Sequence, residues 1–150
     1  MSEVYRSEAM AASSAQPSVF VVHCSDPRYQ PHFQDFVRQG LGFRTYGLVA
    51  IPGGIQTLTL IDFLPKFAWS GWRWLKFMMN LTAPARVVLI SHDDCRWYLE
   101  NRFADPKRVR AKQLEDLRRV RKSFLERFGE VQVDLYYATL DGAGARFEAL

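Results

Sequence analysis

The chain has 150 residues, 48% of them hydrophobic and 24% charged, with a net charge of +4. That balance suits a water-soluble globular chain with a real core, and it excludes a disordered or collagen-like one. Two cysteines exclude a disulfide scaffold and suit a reducing, cytoplasmic setting in which thiols serve metal binding or catalysis. No run of 18 apolar residues is present, so no transmembrane helix is expected, and no secretory leader is read at the start.

Residues 1–18 are rich in Ser and Ala without apolar periodicity, and read as a flexible tail. Residues 19–150 read as a single α/β domain. The first strand is expected over 19–23, where a β-branched and aromatic run ends in Cys24, Ser25, Asp26, Pro27 and Arg28. Phe33, Phe36 and Val37 give a helix over 32–40, stopped by Gly40-Leu41-Gly42.

A second strand over 45–50 breaks at Pro52-Gly53-Gly54, where paired glycines permit close backbone approach. Residues 55–64 could begin the next helix. Residues 63–81 form an aromatic segment, with Phe63, Phe67, Trp69, Trp72, Trp74 and Phe77. It reads as a core helix interrupted by a loop at Ser70-Gly71, with a second apolar face turned to a partner subunit.

The third strand is expected over 86–90. Asp93 and Asp94 follow as helix caps, ahead of a helix carrying Trp97, Tyr98 and Phe103. Asp105-Pro106 opens a long helix that runs to Phe128 and stops at Gly129. The last parallel strand covers 132–139, and Asp141-Gly142 turns the chain into a short antiparallel edge strand over 146–150. Strands alternating with helices predict a mostly parallel sheet of about four strands with flanking helices, plus that edge strand.

The chemistry concentrates at two strand ends. Cys24 closes the first strand; His92 and Cys95, three residues apart, follow the third. Two thiolates and one imidazole are zinc ligands, and three protein ligands leave a fourth position for water. If the two strands are neighbours, Cys24, His92 and Cys95 can face one point. The competing reading has two small core cysteines and a hydrogen-bonded histidine. A disulfide between the two thiols would be an oxidised, metal-free form. A phosphatase loop is excluded, because Arg28 follows Cys24 after three residues rather than five. A thioredoxin-like site is excluded by the lack of a Cys-x-x-Cys.

Cys24-Ser25-Asp26-Pro27-Arg28 resembles the Cys-x-Asp-x-Arg motif of the β-class carbonic anhydrases, and Ser91-His92-Asp93-Asp94-Cys95 is similar to their His-x-x-Cys. Pro52-Gly53-Gly54 lies where that family has an Asn-Ala-Gly-Gly or related loop. The resemblance implies zinc on Cys24, His92 and Cys95, with Asp26 accepting a hydrogen bond from the zinc-held water and Arg28 orienting Asp26. It also implies carbon dioxide and bicarbonate as substrate and product, and a homodimer or higher homo-oligomer. Asp26 ligating zinc itself stays open. This chain departs from the pattern at Arg96, where the family has glycine, and at Ile51 and Pro52.

Two other readings accompany the first. One is a zinc-binding homologue without turnover that acts as an interaction module. The other is a related hydrolase of another small linear substrate such as carbon disulfide. The basic face between Lys107 and Arg127 reads as solvated rather than nucleic-acid binding, because few aromatic residues interleave with its charges.

Overall fold

The computed structural model describes residues 5, 18–59, 64–100 and 105–150. Apart from Tyr5 and Ser18, the stretch read as a tail lies outside them, as do Phe63 and Phe103.

Four runs rich in β-branched, aromatic and leucine side chains form β1 (Val19–Cys24), β2 (Gly47–Ile51), β3 (Arg86–His92) and β4 (Gln132–Leu140). They pair in parallel in the order β2-β1-β3-β4, and β5 (Ala145–Ala149) adds antiparallel to β4 at the edge. The connections carry α1 (Gln30–Asp35), α2 (Pro65–Thr82), α3 (Arg96–Glu100) and α4 (Val109–Phe128). The α/β class, the parallel sheet and the antiparallel C-terminal strand agree with the sequence expectation.

Strand alternation divides the core. Phe20, Val22, Val87 and Leu89 meet Leu75 and Met79 of α2 and Leu117, Val120 and Phe124 of α4. Val19, Val21, Val88 and Ile90 meet Phe33 and Val37 on the other face. β1 and β3 are buried throughout but for a partly exposed Arg86, which is why they read as continuous apolar runs. Each fully buried Val, Leu, Ile or Phe contributes roughly 1.5–3 kcal/mol relative to exposure.

Several local expectations change. The first helix starts at Gln30 and its final turn, Phe36–Gly40, widens to a π-turn before Gly42, whose φ is +77°. Gly54–Leu58 is a short 3₁₀ turn rather than the start of a long helix. No loop interrupts α2 at Ser70-Gly71. A Cβ on Gly71 would stand 3.0 Å from Leu58 Cδ2 and 3.3 Å from Thr57 Cγ2, so this glycine lets the helix lie close to the 3₁₀ turn. Asp105 behaves as expected: its Oδ1 accepts from the Lys107 amide at 2.9 Å, and a 3₁₀ turn leads into α4, which ends at Gly129.

The strand order creates the site. β1 has β2 on one side and β3 on the other, so the connections leaving β1 and β3 diverge at the sheet's C-terminal edge. Pairing of β1 with β3 ends at Val22–Leu89, while β1 stays paired to β2 as far as Cys24–Ile51. Beyond Val22 and Leu89 a crevice opens between the strand ends.

Candidate metal centre

Cys24, His92 and Cys95 converge in this crevice. Their candidate ligand atoms all lie within 4.8 Å of one another, and all three residues are buried. Cys24 shares the face of Phe20 and Val22, whereas His92 shares the face of Val88 and Ile90. Side chains from opposite faces of the sheet meet here because the strands have parted. Cys95 arrives from the turn between β3 and α3.

The thiols are set for a shared ion. Cys24 Sγ and Cys95 Sγ are 3.9 Å apart. Two thiolates bound at ~2.3 Å in tetrahedral geometry stand about 3.8 Å from each other. The hydrogen bond from Cys95 pulls the Cys24 thiol strongly down in pKa, and the Gly53 amide adds to that pull. Cys95 is pushed up by that bond and by burial. One negative charge is therefore already favoured at this end of the sheet. The Gly53 N–H points at Cys24 Sγ at 3.3 Å.

His92 is held in one tautomer. Its Nδ1 lies 2.7 Å from the Asp93 carbonyl oxygen, which only accepts, so Nδ1 carries the proton. Nε2 is then a bare lone pair, buried and without a hydrogen-bond partner among the described residues. A buried nitrogen of this kind incurs a desolvation penalty that ligation removes. Tyr29 lies against the ring at 4.2 Å, and Gln113 Nε2 donates to the His92 carbonyl at 2.9 Å. The donor set and spacing fit zinc.

Asp26 and Arg28 sit beside this group on the loop after β1. Arg28 grips the carboxylate with both ends of its fork: Nε donates to Oδ1 at 3.1 Å and Nη2 to Oδ2 at 2.7 Å. The Arg28 amide also donates to Oδ1, at 3.0 Å. Hydrogen bonding from Arg28 holds the Asp26 carboxyl below its ordinary pKa. The loop is anchored by Gln30, whose Nε2 donates to the Cys24 carbonyl at 2.8 Å. Cys24, Asp26, Arg28, Arg96 and Trp97 line an open cleft of about 850 Å³.

The paired glycines serve the same place. Gly53 has φ +73°, and a Cβ there would lie 2.2 Å from Trp97 Cδ1; Gly54 has φ +55°, and a Cβ there would lie 2.9 Å from the Cys24 nitrogen. Backbone approaches β1 and the indole more closely than any side chain allows. Trp97 and Pro52 also border a mostly apolar pocket of about 410 Å³ with Ile51, Phe67 and Trp74.

Three features escaped the sequence reading. Asp94 was expected to cap α3. Instead it adopts φ +49° and its carboxylate accepts from Arg28 Nη1 at 2.7 Å. Asp93 Oδ1 lies 3.4 Å from the Tyr137 hydroxyl. Gln113, the third, had a visible signal: it stands on the buried stripe with Leu117, Val120 and Phe124, a polar residue at an apolar position.

No family model matches the chain, and no curated protein matches it in sequence. Solved structures share its fold at low identity. The β-carbonic anhydrase of Aspergillus fumigatus superposes with a TM-score of 0.56 at 12% identity, over 89% of this chain and 76% of that one. Isoform I of the β-carbonic anhydrase of Trichomonas vaginalis gives 0.50 at 14% identity, over 93% and 86%. A match from the tetrameric β-carbonic anhydrases of Sordaria macrospora gives 0.51 at 13% identity, over 93% and 83%. The chain has the β-carbonic anhydrase fold, and its Cys24–His92–Cys95 triad resembles the zinc site of that family.

Proposed function

We propose that this chain, with residues 19–150 as one domain, is a zinc-dependent carbonic anhydrase-like lyase that hydrates carbon dioxide to bicarbonate. The observation that carries the proposal is the bare, buried Nε2 of His92 beside two thiols 3.9 Å apart. Cys24, His92 and Cys95 would hold the ion. Zinc, when bound, acidifies water to near neutrality and so supplies a nucleophile for carbon dioxide.

The chain's own residues do the rest. Asp26, kept ionised by Arg28, accepts a proton in a hydrogen bond at its carboxylate and fixes the orientation of the attacking water. Arg28 prevents Asp26 from rotating, because both its oxygens are engaged. That engagement also favours Asp26 as an acceptor over Asp26 as a fourth ligand. The apolar pocket beside Trp97 and Pro52 suits an uncharged linear substrate, which is excluded from water more readily than bicarbonate. The same pocket would take carbon disulfide, so the two substrates are separated by assay. A homologue that binds zinc without turnover is the remaining alternative.

No described helix is long and apolar enough to cross a membrane. Thiol ligands suit a reducing cytoplasm. Phe67, Trp74 and Leu81, all at least half exposed along α2, give a surface for a homodimer or higher homo-oligomer.

The test is metal analysis of reduced protein beside stopped-flow carbon dioxide hydration. One zinc per chain is expected, lost in Cys24→Ser and Cys95→Ser, with turnover lost in Asp26→Asn while zinc is retained. Absence of zinc would overturn the site. Zinc without hydration of carbon dioxide or hydrolysis of carbon disulfide would leave the interaction module.

A further inference from the structure

A second cleft, of about 650 Å³, lies between α2 and α4 and shares no lining residue with the cleft beside Cys24. Arg73, Lys76 and Asn80 reach it from one stripe of α2, at helical spacing. Arg127 reaches it from the last turn of α4, and Trp69 and Trp72 complete the wall. Most of this lining lies together in sequence on α2; helix packing adds Arg127 and Phe128 from α4.

The cleft is built rather than loose. Trp72 is fixed by its Nε1, which donates to the Leu58 carbonyl at 3.2 Å, and by contact with Phe124 at 5.4 Å. The Arg127 guanidinium lies 4.4 Å from the Trp72 ring centroid, and that of Arg73 lies 5.2 Å from the Trp69 centroid. Both guanidiniums therefore lie over indole rings within cation–π range. Among the described residues no carboxylate lines this cleft. Among the described residues none of Arg73, Lys76 and Arg127 enters an ion pair.

Three cations on one cleft that no described carboxylate lines repel each other, and an anion relieves that repulsion. Guanidinium forks match phosphate oxygens, with a lysine as an added point charge. Trp69, 63% exposed, and Phe77, 64% exposed, offer ring surface on which a planar base stacks. Asn80 adds an amide able to read a base edge. A second copy of the chain is a poor occupant, since a two-fold contact through this face would juxtapose both sets of cations.

We propose that the cleft between α2 and α4 binds a nucleotide unit. Its phosphate lies against Arg73, Lys76 and Arg127, and its base stacks on one exposed ring, that of Trp69 or of Phe77. The site is independent of the metal centre.

Calorimetric titration of the full chain tests it at low and at physiological salt. The probes are 5′-AMP, a single-stranded oligouridylate and inorganic phosphate. Saturable binding of AMP or of the oligomer is expected. It should weaken with salt, and by at least tenfold in the double variant Arg73→Gln/Arg127→Gln, whose zinc content stays that of the unaltered chain. An oligomer no tighter than AMP identifies a free nucleotide as the ligand; an oligomer at least tenfold tighter identifies a nucleic-acid strand. The proposal is overturned if neither binds at low salt, if phosphate alone binds as well as AMP, or if the double variant binds unchanged.

Discussion

Arg28 ties itself to Asp94 across the crevice: Nη1 donates to the Asp94 carboxylate at 2.7 Å and Nη2 to its carbonyl at 2.9 Å. The same guanidinium holds Asp26. One side chain thus joins the loop that follows Cys24 to the turn that carries Cys95, and fixes the Asp26 carboxylate between them. A planar fork with several donors is required, and lysine cannot supply it.

Arg28→Lys should therefore lose most carbon dioxide hydration, by about 10²-fold, the scale of a misplaced proton acceptor. Charge is retained, so zinc content should hold. The pH behaviour follows from the depressed Asp26 pKa. The unfolded carboxyl titrates near ~3.9. The Arg28–Asp26 bond thus contributes stability above that pH and loses it as the pH falls through the lower folded value. NMR titration of Asp26 should show its pKa rise toward the ordinary value in Arg28→Gln; an unchanged value would remove Arg28 as the cause.

Gly53→Ala should destabilise the fold by roughly 1–3 kcal/mol, the usual range for overpacking, with added strain from a positive φ. Trp97→Ala in the same chain removes the atom that the new Cβ meets. The double variant should be more stable than the sum of the two single changes implies, as read in urea unfolding. Strict additivity would mean that Trp97 is not what the glycine accommodates.

The strands and the three candidate ligands were legible because each ligand ends a strand or follows it by a few residues, and β-branched runs announce buried strands. Crossover geometry was less legible. Gly71 looked like a break, because a glycine needed for close helix packing and one needed for a turn read alike in sequence. Asp94 looked like a helix cap, because a carboxylate before a helix usually finds amides. Its actual partner lies 66 positions away, and such a pairing has no local signature.

Asp116 is fully buried on α4, where its Oδ2 accepts from Tyr98 Oη at 3.0 Å and its Oδ1 from Lys112 Nζ at 2.7 Å. Burial, set against the Lys112 charge, pushes its carboxyl above the ordinary pKa. A raised folded pKa contributes stability below the unfolded value, and this fades as the pH rises through the folded one. Asp116→Asn keeps an acceptor for Tyr98 and carries no charge. Relative to the unaltered chain it should gain stability in thermal unfolding as the pH rises from below the ordinary carboxyl pKa, near ~3.9, to neutrality. A loss over that range would mean that the Lys112 pair outweighs desolvation.

Phe67→Lys and Trp74→Glu place charge on the outward face of α2, where both residues are about half exposed. Light scattering should show dimers or larger assemblies for the unaltered chain and monomers for the double variant, with zinc retained. A monomeric unaltered chain would end the oligomer proposal.

Cys24 and Cys95 are 71 positions apart. An ion gripped by both thiols is therefore also a staple on the chain. Closing a loop of that length removes roughly 4 kcal/mol of conformational entropy from the unfolded state. That sum is a large fraction of the about 5–15 kcal/mol by which a folded domain is stable. Chelation would then do more than silence chemistry: it would free β1 from β3 in the unfolded ensemble and lower the melting temperature. Metal supply during synthesis would become a factor in how much folded protein a cell accumulates.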